Sequence, residues 1–192
     1  SRWGRSRMSR VHQLLPVLSP GDAIGQCVLR IQDVLREHGI GGEIFAETAH
    51  QSLQSRSRPA AEIEAVASND DTVLYHLSIG AHCAAIMDRT PARRALHYHN
   101  ITPRSYFEDI SPRVAYWIDR GRADLHRLAP LCDLGIADSA FNEIELRAAG
   151  CPQTVVVPPP VDLSRLRPRP AVPADPPELL YVSRLAPNKR QT

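Results

Sequence analysis

Lysine occurs once in this chain of 192 residues, at Lys189, and every other fixed cation is an arginine. A genomic composition bias accounts for the pattern, but it leaves the single lysine conspicuous. No apolar run approaches the ~18 residues that a membrane-spanning helix needs. The four cysteines, Cys27, Cys83, Cys132 and Cys151, show no short paired spacing. Neither a zinc site nor a disulfide framework is therefore expected; reduced, buried thiols in a cytoplasmic protein are. The chain holds no Walker loop, no His-Glu-x-x-His, no Gly-x-Ser-x-Gly and no Asp-x-Asp metal motif, so the commonest signatures of nucleotidases, zinc proteases and serine hydrolases are missing. Acid is missing from the first ten residues, which hold Arg2, Arg5, Arg7 and Arg10. The formal charge of +2 therefore leaves residues 11–192 at −2. A folded part that is not basic is no natural partner for nucleic acid. No apolar run of the length of a signal h-region follows those arginines, so residues 1–10 do not resemble a secretory signal. They read as a disordered or cloning-derived extension, with Met8 as a candidate start.

What is present is enough for a core, with 43% hydrophobic residues arranged in alternating short and long segments. Short apolar runs followed by amphipathic ones predict βαβ units and a Rossmann-like parallel sheet flanked by helices, an α/β fold. Strands are predicted at Val11–Leu18, Glu43–Ala46, Thr72–Leu77, Ala95–Tyr98, Leu134–Ala137 and Val155–Val157. A helix carrying Ile24, Cys27, Val28, Ile31, Val34 and Leu35 on one face follows the first strand and ends at Gly39. Residues 47–58 read as a surface loop, Ala60–Ala67 as a weak helix and Ala81–Asp88 as a short one. Ser111-Pro112 predicts an N-cap with proline at the first helical position, opening a long helix through Leu128. Ser139 caps the next helix, with Ile144 and Leu146 as its apolar anchors and Gly150 as its stop. The domain is expected over residues 11–162. A proline-rich linker over 163–177 follows, and a new strand at Leu179–Val182 begins a further domain over 178–192.

Four segments carry residues suited to chemistry. Ser19-Pro20-Gly21-Asp22-Ala23-Ile24-Gly25 places glycines at a strand-to-helix turn, where backbone can approach a ligand and free N–H groups attract anions; a tight turn needing glycine for geometry alone is the other reading. His76 and His99 fall at the C-terminal ends of predicted strands, the ligand side of an open parallel sheet. His97 and His99 share a face of their strand, but no third ligand is evident and a metal site is not expected. A hydrogen-bonding or polarising role for His99, followed by Asn100 and a proline-ended loop, is. Ser139 in Ala137-Asp138-Ser139 is foremost a cap. Arg184 and Lys189, beyond the strand at Leu179–Val182, offer a fork and a point charge to a phosphate.

Taken together, Ser183-Arg184-Leu185-Ala186-Pro187-Asn188-Lys189, Pro158-Pro159-Pro160-Val161-Asp162, Ala137-Asp138-Ser139, the Gly-Asp-Ala-Ile-Gly turn and Tyr98-His99-Asn100-Ile101-Thr102-Pro103 resemble the family 4 glycosyltransferases of the GT-B fold. The resemblance spans residues 11–192 in the family's order. It implies two Rossmann-like domains facing a cleft, of which this chain holds the amino-terminal, acceptor-side one and the start of a truncated donor-binding one. It implies retaining, metal-independent transfer from a nucleotide sugar, a substrate and not a cofactor, to a sugar, glycan or lipid acceptor. A lipid acceptor would bring peripheral membrane contact. On that resemblance His99 is the catalytic residue beside the transferred sugar. Arg184, Lys189, Gly21 and Gly25 bind the donor diphosphate, and Asp22, His76, Asn100 and Ser139 line the cleft. Ser183 stands where the family often has glycine. The family's paired-glutamate segment would lie beyond Thr192, so the 192 residues alone are expected to be inactive. A non-catalytic acceptor-binding module completed by a partner chain, and another GT-B enzyme such as a nucleotide-sugar epimerase, are the alternatives.

Overall fold

The computed structural model describes residues 9–161, 176–177, 179–183 and 185–189. Seven strands form one sheet: β1 (Val11–Leu18), β2 (Ile44–Ala49), β3 (Arg58–Pro59), β4 (Thr72–Leu77), β5 (Arg93–Tyr98), β6 (Leu134–Ala137) and β7 (Thr154–Val156). Their order is β3-β2-β1-β4-β5-β6-β7, and every pairing is parallel. The chain thus leaves β1 toward one edge, returns, and builds the other half from β4 outward. Between β1 and β4 the direction of winding reverses, and there an open α/β sheet opens a crevice at its carboxyl edge.

The strands connect through α1 (Ala23–Glu37), α2 (Ile63–Val66), α3 (Ile86–Arg89), α4 (Pro112–Leu128) and α5 (Ala140–Ala148). The starts of three of them are written in single side chains. Asp22 accepts from Gly25 N at 3.1 Å, Ser111 from Val114 N at 3.4 Å and Ser139 from Asn142 N at 3.2 Å, each satisfying a helix N–H that has no partner within the helix.

Register divides the sheet into two faces. Gln13, Leu74, Ala95 and Leu134 are mutual neighbours on one face, and Leu14, Tyr75, Leu96 and Gly135 on the other. The larger core lies on the second face, where Leu14, Val73, Tyr75, Leu77, Leu96 and Tyr98 pack with Ile118, Leu125 and Leu146. The smaller core joins Leu15, Ile44 and Ala46 to Val28 of α1. All four cysteines are free and buried, and burial pushes the Cys132 thiol up to about 12. Among the described residues, no helix is long and apolar enough to cross a membrane.

Several expectations need correction. Residues 47–58 are not all loop: β2 runs to Ala49, a 3-10 turn covers Gln51–Arg56, and β3 adds an edge strand. Pro59 is tolerated there because the edge position asks nothing of a missing N–H. The weak helix at Ala60–Ala67 is a 3-10 turn over Ala60–Glu62 leading into α2, and the one at Ala81–Asp88 is a 3-10 turn over His82–Ala85 leading into α3. Ile144 is 68% exposed and anchors nothing, whereas Leu146 is fully buried. Asn142 and Leu146, four residues apart, form the inward face, and Ile144 falls opposite. Arg10 is no part of a loose extension. Its guanidinium grips the buried Asp71 carboxylate at 2.7 and 3.1 Å and donates to Val66 O at 2.8 Å.

The strand predicted at Leu179–Val182 is absent. Those residues are exposed, and no strand among the described residues pairs with them, without which a parallel strand has no ladder. Most of the linker, residues 163–175, lies outside the described residues.

The loop after β4 is clamped by two glycines. Gly80 N donates to Trp117 O at 2.9 Å. A Cβ at Gly121 would sit 2.7 Å from Gly80 N and 2.9 Å from Ile79 C, both backbone atoms unable to swing aside. Gly121→Ala should therefore lower stability by about 1–3 kcal/mol in chemical denaturation, and an unchanged midpoint would show that α4 does not press on this loop.

Candidate functional site

The loops after β1 and β4 meet at the reversal point and frame a cavity of about 420 Å³ lined by Ser19, Gly21, Asp22, Ser78 and Ile79. It shares Asp22, Ser78 and Ile79 with a second cavity of about 560 Å³ walled by His99, Asn100, Asp138 and Lys189. The sequence places four of these groups here by a simple rule: Ser19, Ser78, His99 and Asp138 each directly follow the last residue of a parallel strand.

Gly21 turns the chain with φ of +75°, a left-handed conformation that favours glycine. Gly25 has a different reason to be small, since a Cβ there would meet Ser19 O at 2.7 Å. Close seating of α1 against the preceding turn explains it without a ligand. Between them Asp22 caps α1 and borders both cavities. The helix start thus already holds a carboxylate, so a phosphate approaching it would meet negative charge, while a hydroxyl would find an acceptor.

His97 and His99 lie on one face of β5 as the two-residue period requires, with ring centroids 4.0 Å apart. Asp138 follows β6 and, because Ile136 pairs with His97, arrives beside both. His97 Nε2 and His99 Nδ1 each contact one Asp138 oxygen at 2.8 Å. His99 Nε2 then lies 2.9 Å from His76 Nδ1, and His76 Nε2 lies 3.1 Å from Gln13 Oε1. His76 does not line the cleft as predicted. It is fully buried behind His99, because β4 continues past it to Leu77, and Ser78, just beyond the strand, reaches the cavity instead. Ser139 likewise turns its hydroxyl to Asn142 N and leaves the wall to Asp138.

Burial, and then the neighbouring imidazoles, push His76 well below the ordinary imidazole range; burial also lowers His97, against the opposing pull of Asp138. Burial opposes the Asp138 charge, but the hydrogen bonds from His97 and His99 outweigh it and hold the carboxyl well below the usual range. The turn after His99 is fixed from outside. Asn100 adopts φ of +70°, a conformation asparagine tolerates, and its Oδ1 accepts from Ile101 N at 2.6 Å. Arg122 donates to Ile101 O at 2.5 Å and to Glu145 at 2.8 Å, and Glu145 accepts from Tyr98 at 2.7 Å.

A third imidazole is present after all: His76, His97 and His99 each place a ring nitrogen within 4.8 Å of the others. An ion there would have to replace the 2.9 Å bond between His76 and His99. It would also have to bind stacked rings inclined by only 29°, whose in-plane lone pairs cannot converge. The donor set fits a hydrogen-bonded cluster better than a coordination shell. Lys189 stands exposed at the cavity rim; Arg184 lies outside the described residues.

Asp138, Gln13 and Gln32 are the members that the sequence did not single out. Asp138 carries the one available signal, a carboxylate directly after a strand; the glutamines lie within elements and become visible only through pairing. Compared with known proteins, no family model matches the chain, and no curated protein matches it.

Asp138→Asn should cost about 1.5–3 kcal/mol at pH 7, the worth of hydrogen bonds to a charged group, in urea denaturation. The sign follows from its depressed pKa. The contribution is whole above the ordinary carboxylate value of ~3.9 and is lost as pH falls toward the depressed one. The gap between the two proteins should therefore narrow below about pH 4; a gap that stays constant into acid would contradict the role given to the Asp138 charge.

Proposed function

We propose that this chain is the acceptor-side domain of a retaining, metal-independent glycosyltransferase that moves a sugar from a nucleotide-sugar donor to a sugar, glycan or lipid acceptor. The observation that carries the reading is His99. It walls the cavity beside the reversal point, tied to Asp138 in front and His76 behind. The residue pattern that resembles the family 4 enzymes puts the transferred sugar at that position.

In transfer, the bond between the anomeric carbon and the diphosphate oxygen breaks, one to the acceptor oxygen forms, and the acceptor's hydroxyl proton passes to the departing phosphate. Negative charge grows on the departing phosphate, which Lys189 at the rim and Arg184 would neutralise. Both ring nitrogens of His99 have partners, so its part is to orient the sugar and supply charge, not to take the acceptor proton. Asp22 is suited to gripping a hydroxyl of the bound sugar or acceptor. That assignment moves the turn at Gly21 and Gly25 away from the diphosphate, since Asp22 already occupies the start of α1.

His99→Ala in the protein together with its donor-binding half should lower kcat by roughly 10²-fold, the scale of losing one preorganised electrostatic group. Donor Kd, measured by calorimetry, should change little. Unchanged turnover would reduce His99 to a structural histidine. Sugar isomerised without any acceptor would replace transfer with epimerisation.

A further inference from the structure

The hydrogen bonds around His76 determine how many protons the cluster holds. Gln32 Nε2 donates to Gly42 O at 3.0 Å, so its Oε1 must face Gln13. Gln13 Nε2 donates to that oxygen at 3.2 Å and to Val28 O at 3.0 Å. Two backbone carbonyls, which only accept, thus orient both amides. Gln13 Oε1 is left pointing at His76 Nε2, which must carry a hydrogen to donate. At the other end the Asp138 carboxylate can only accept, so His99 Nδ1 must carry one too. The 2.9 Å bond between His76 Nδ1 and His99 Nε2 needs a third. Three N–H groups on two imidazoles are one more than two neutral rings possess.

We infer that Gln13 and Gln32 are positioning residues that keep one extra proton on the His76–His99 pair, so that the cleft floor holds a single imidazolium charge set against Asp138. Burial disfavours that charge on His76, so it concentrates on the His99 side, toward the cavity. His97 is neutral: its Nε2 donates to Asp138, and its buried Nδ1 has no hydrogen-bond partner, which an unprotonated nitrogen endures more cheaply than an N–H. The other groups facing the pair leave its charge in place. From α1 come Asp22 and Cys27, the latter's thiol pushed up to about 11 by burial and by Asp138. Asp138 comes from the end of β6, and Lys189 stands across the cavity. The proton count stands whether or not the cleft transfers sugar; its use in stabilising a departing phosphate rests on the glycosyltransferase reading.

Imidazole ¹⁵N spectra of the histidine-labelled chain at neutral pH test the count directly. Wild type should show both nitrogens of His99 protonated, with His76 protonated at Nε2 and accepting at Nδ1. In Gln13→Leu the demand at His76 Nε2 disappears. His76 can then donate from Nδ1 to a neutral His99, and the pair should lose one proton. Gln13→Glu keeps an acceptor and should retain all three. A wild-type pair with two protons, or three surviving in Gln13→Leu, would overturn the inference. If Gln13→Leu fails to fold, the wild-type count and the Gln13→Glu spectrum decide it. Neither readout depends on activity, so a failed transfer assay would leave this result standing.

Discussion

A line of buried polar side chains can cross a parallel sheet only if each donor in it meets an acceptor, and the centre of this fold is built around one such line. It begins at the carbonyls of Gly42 and Val28, passes through Gln32, Gln13, His76 and His99, and ends on Asp138 at the cleft. The strands β1 and β4, the helix α1 and the residues just beyond β5 and β6 each contribute to it. A slip of one residue in any of these strands would exchange the polar side chain for an apolar neighbour from the opposite face. Correct register and an assembled site are therefore one condition. The cost of leaving even a single buried group unpaired, about 1–3 kcal/mol, penalises each alternative pairing.

The same line explains why the cleft has its character. Apolar packing against α1 and α4 shapes the cavity, and beside Lys189 at the rim its charge comes from the ends of strands: Asp22 after β1 and Asp138 after β6, with the imidazole of His99 between. Arg122 and Glu145, on the opposite face, hold the turn that follows His99 without touching the cavity. An acceptor at Asp22 and the single imidazolium charge inferred for the His76–His99 pair suit a polyhydroxylated ligand that carries a departing anion. The glycosyltransferase reading supplies such a ligand.

Much of the fold was legible in local sequence. β1, β4 and β6 begin and end where alternating or continuous apolar runs place them, and Ser111 and Ser139 mark their helices because capping is decided within four residues. What was not legible depended on distance along the chain. The edge strand at Arg58–Pro59 exists only because β2 lies beside it. Ile144 resembled Leu146 as an apolar residue, and only the direction in which α5 packs separates them. Leu179–Val182 has the composition of a strand but has no strand beside it among the described residues. In the site, His99 stood out by its place at a strand end. The glutamines behind it did not: Gln13 and Gln32 look like ordinary polar residues in a strand and a helix until the sheet order brings them under His76.

The central claim is a number of protons, and neutron diffraction from perdeuterated crystals at neutral pH counts them. The account predicts three deuterons on the four ring nitrogens of His76 and His99, one lying between the rings and none on Asp138. Two deuterons on the pair, or one residing on the Asp138 carboxyl, would contradict it.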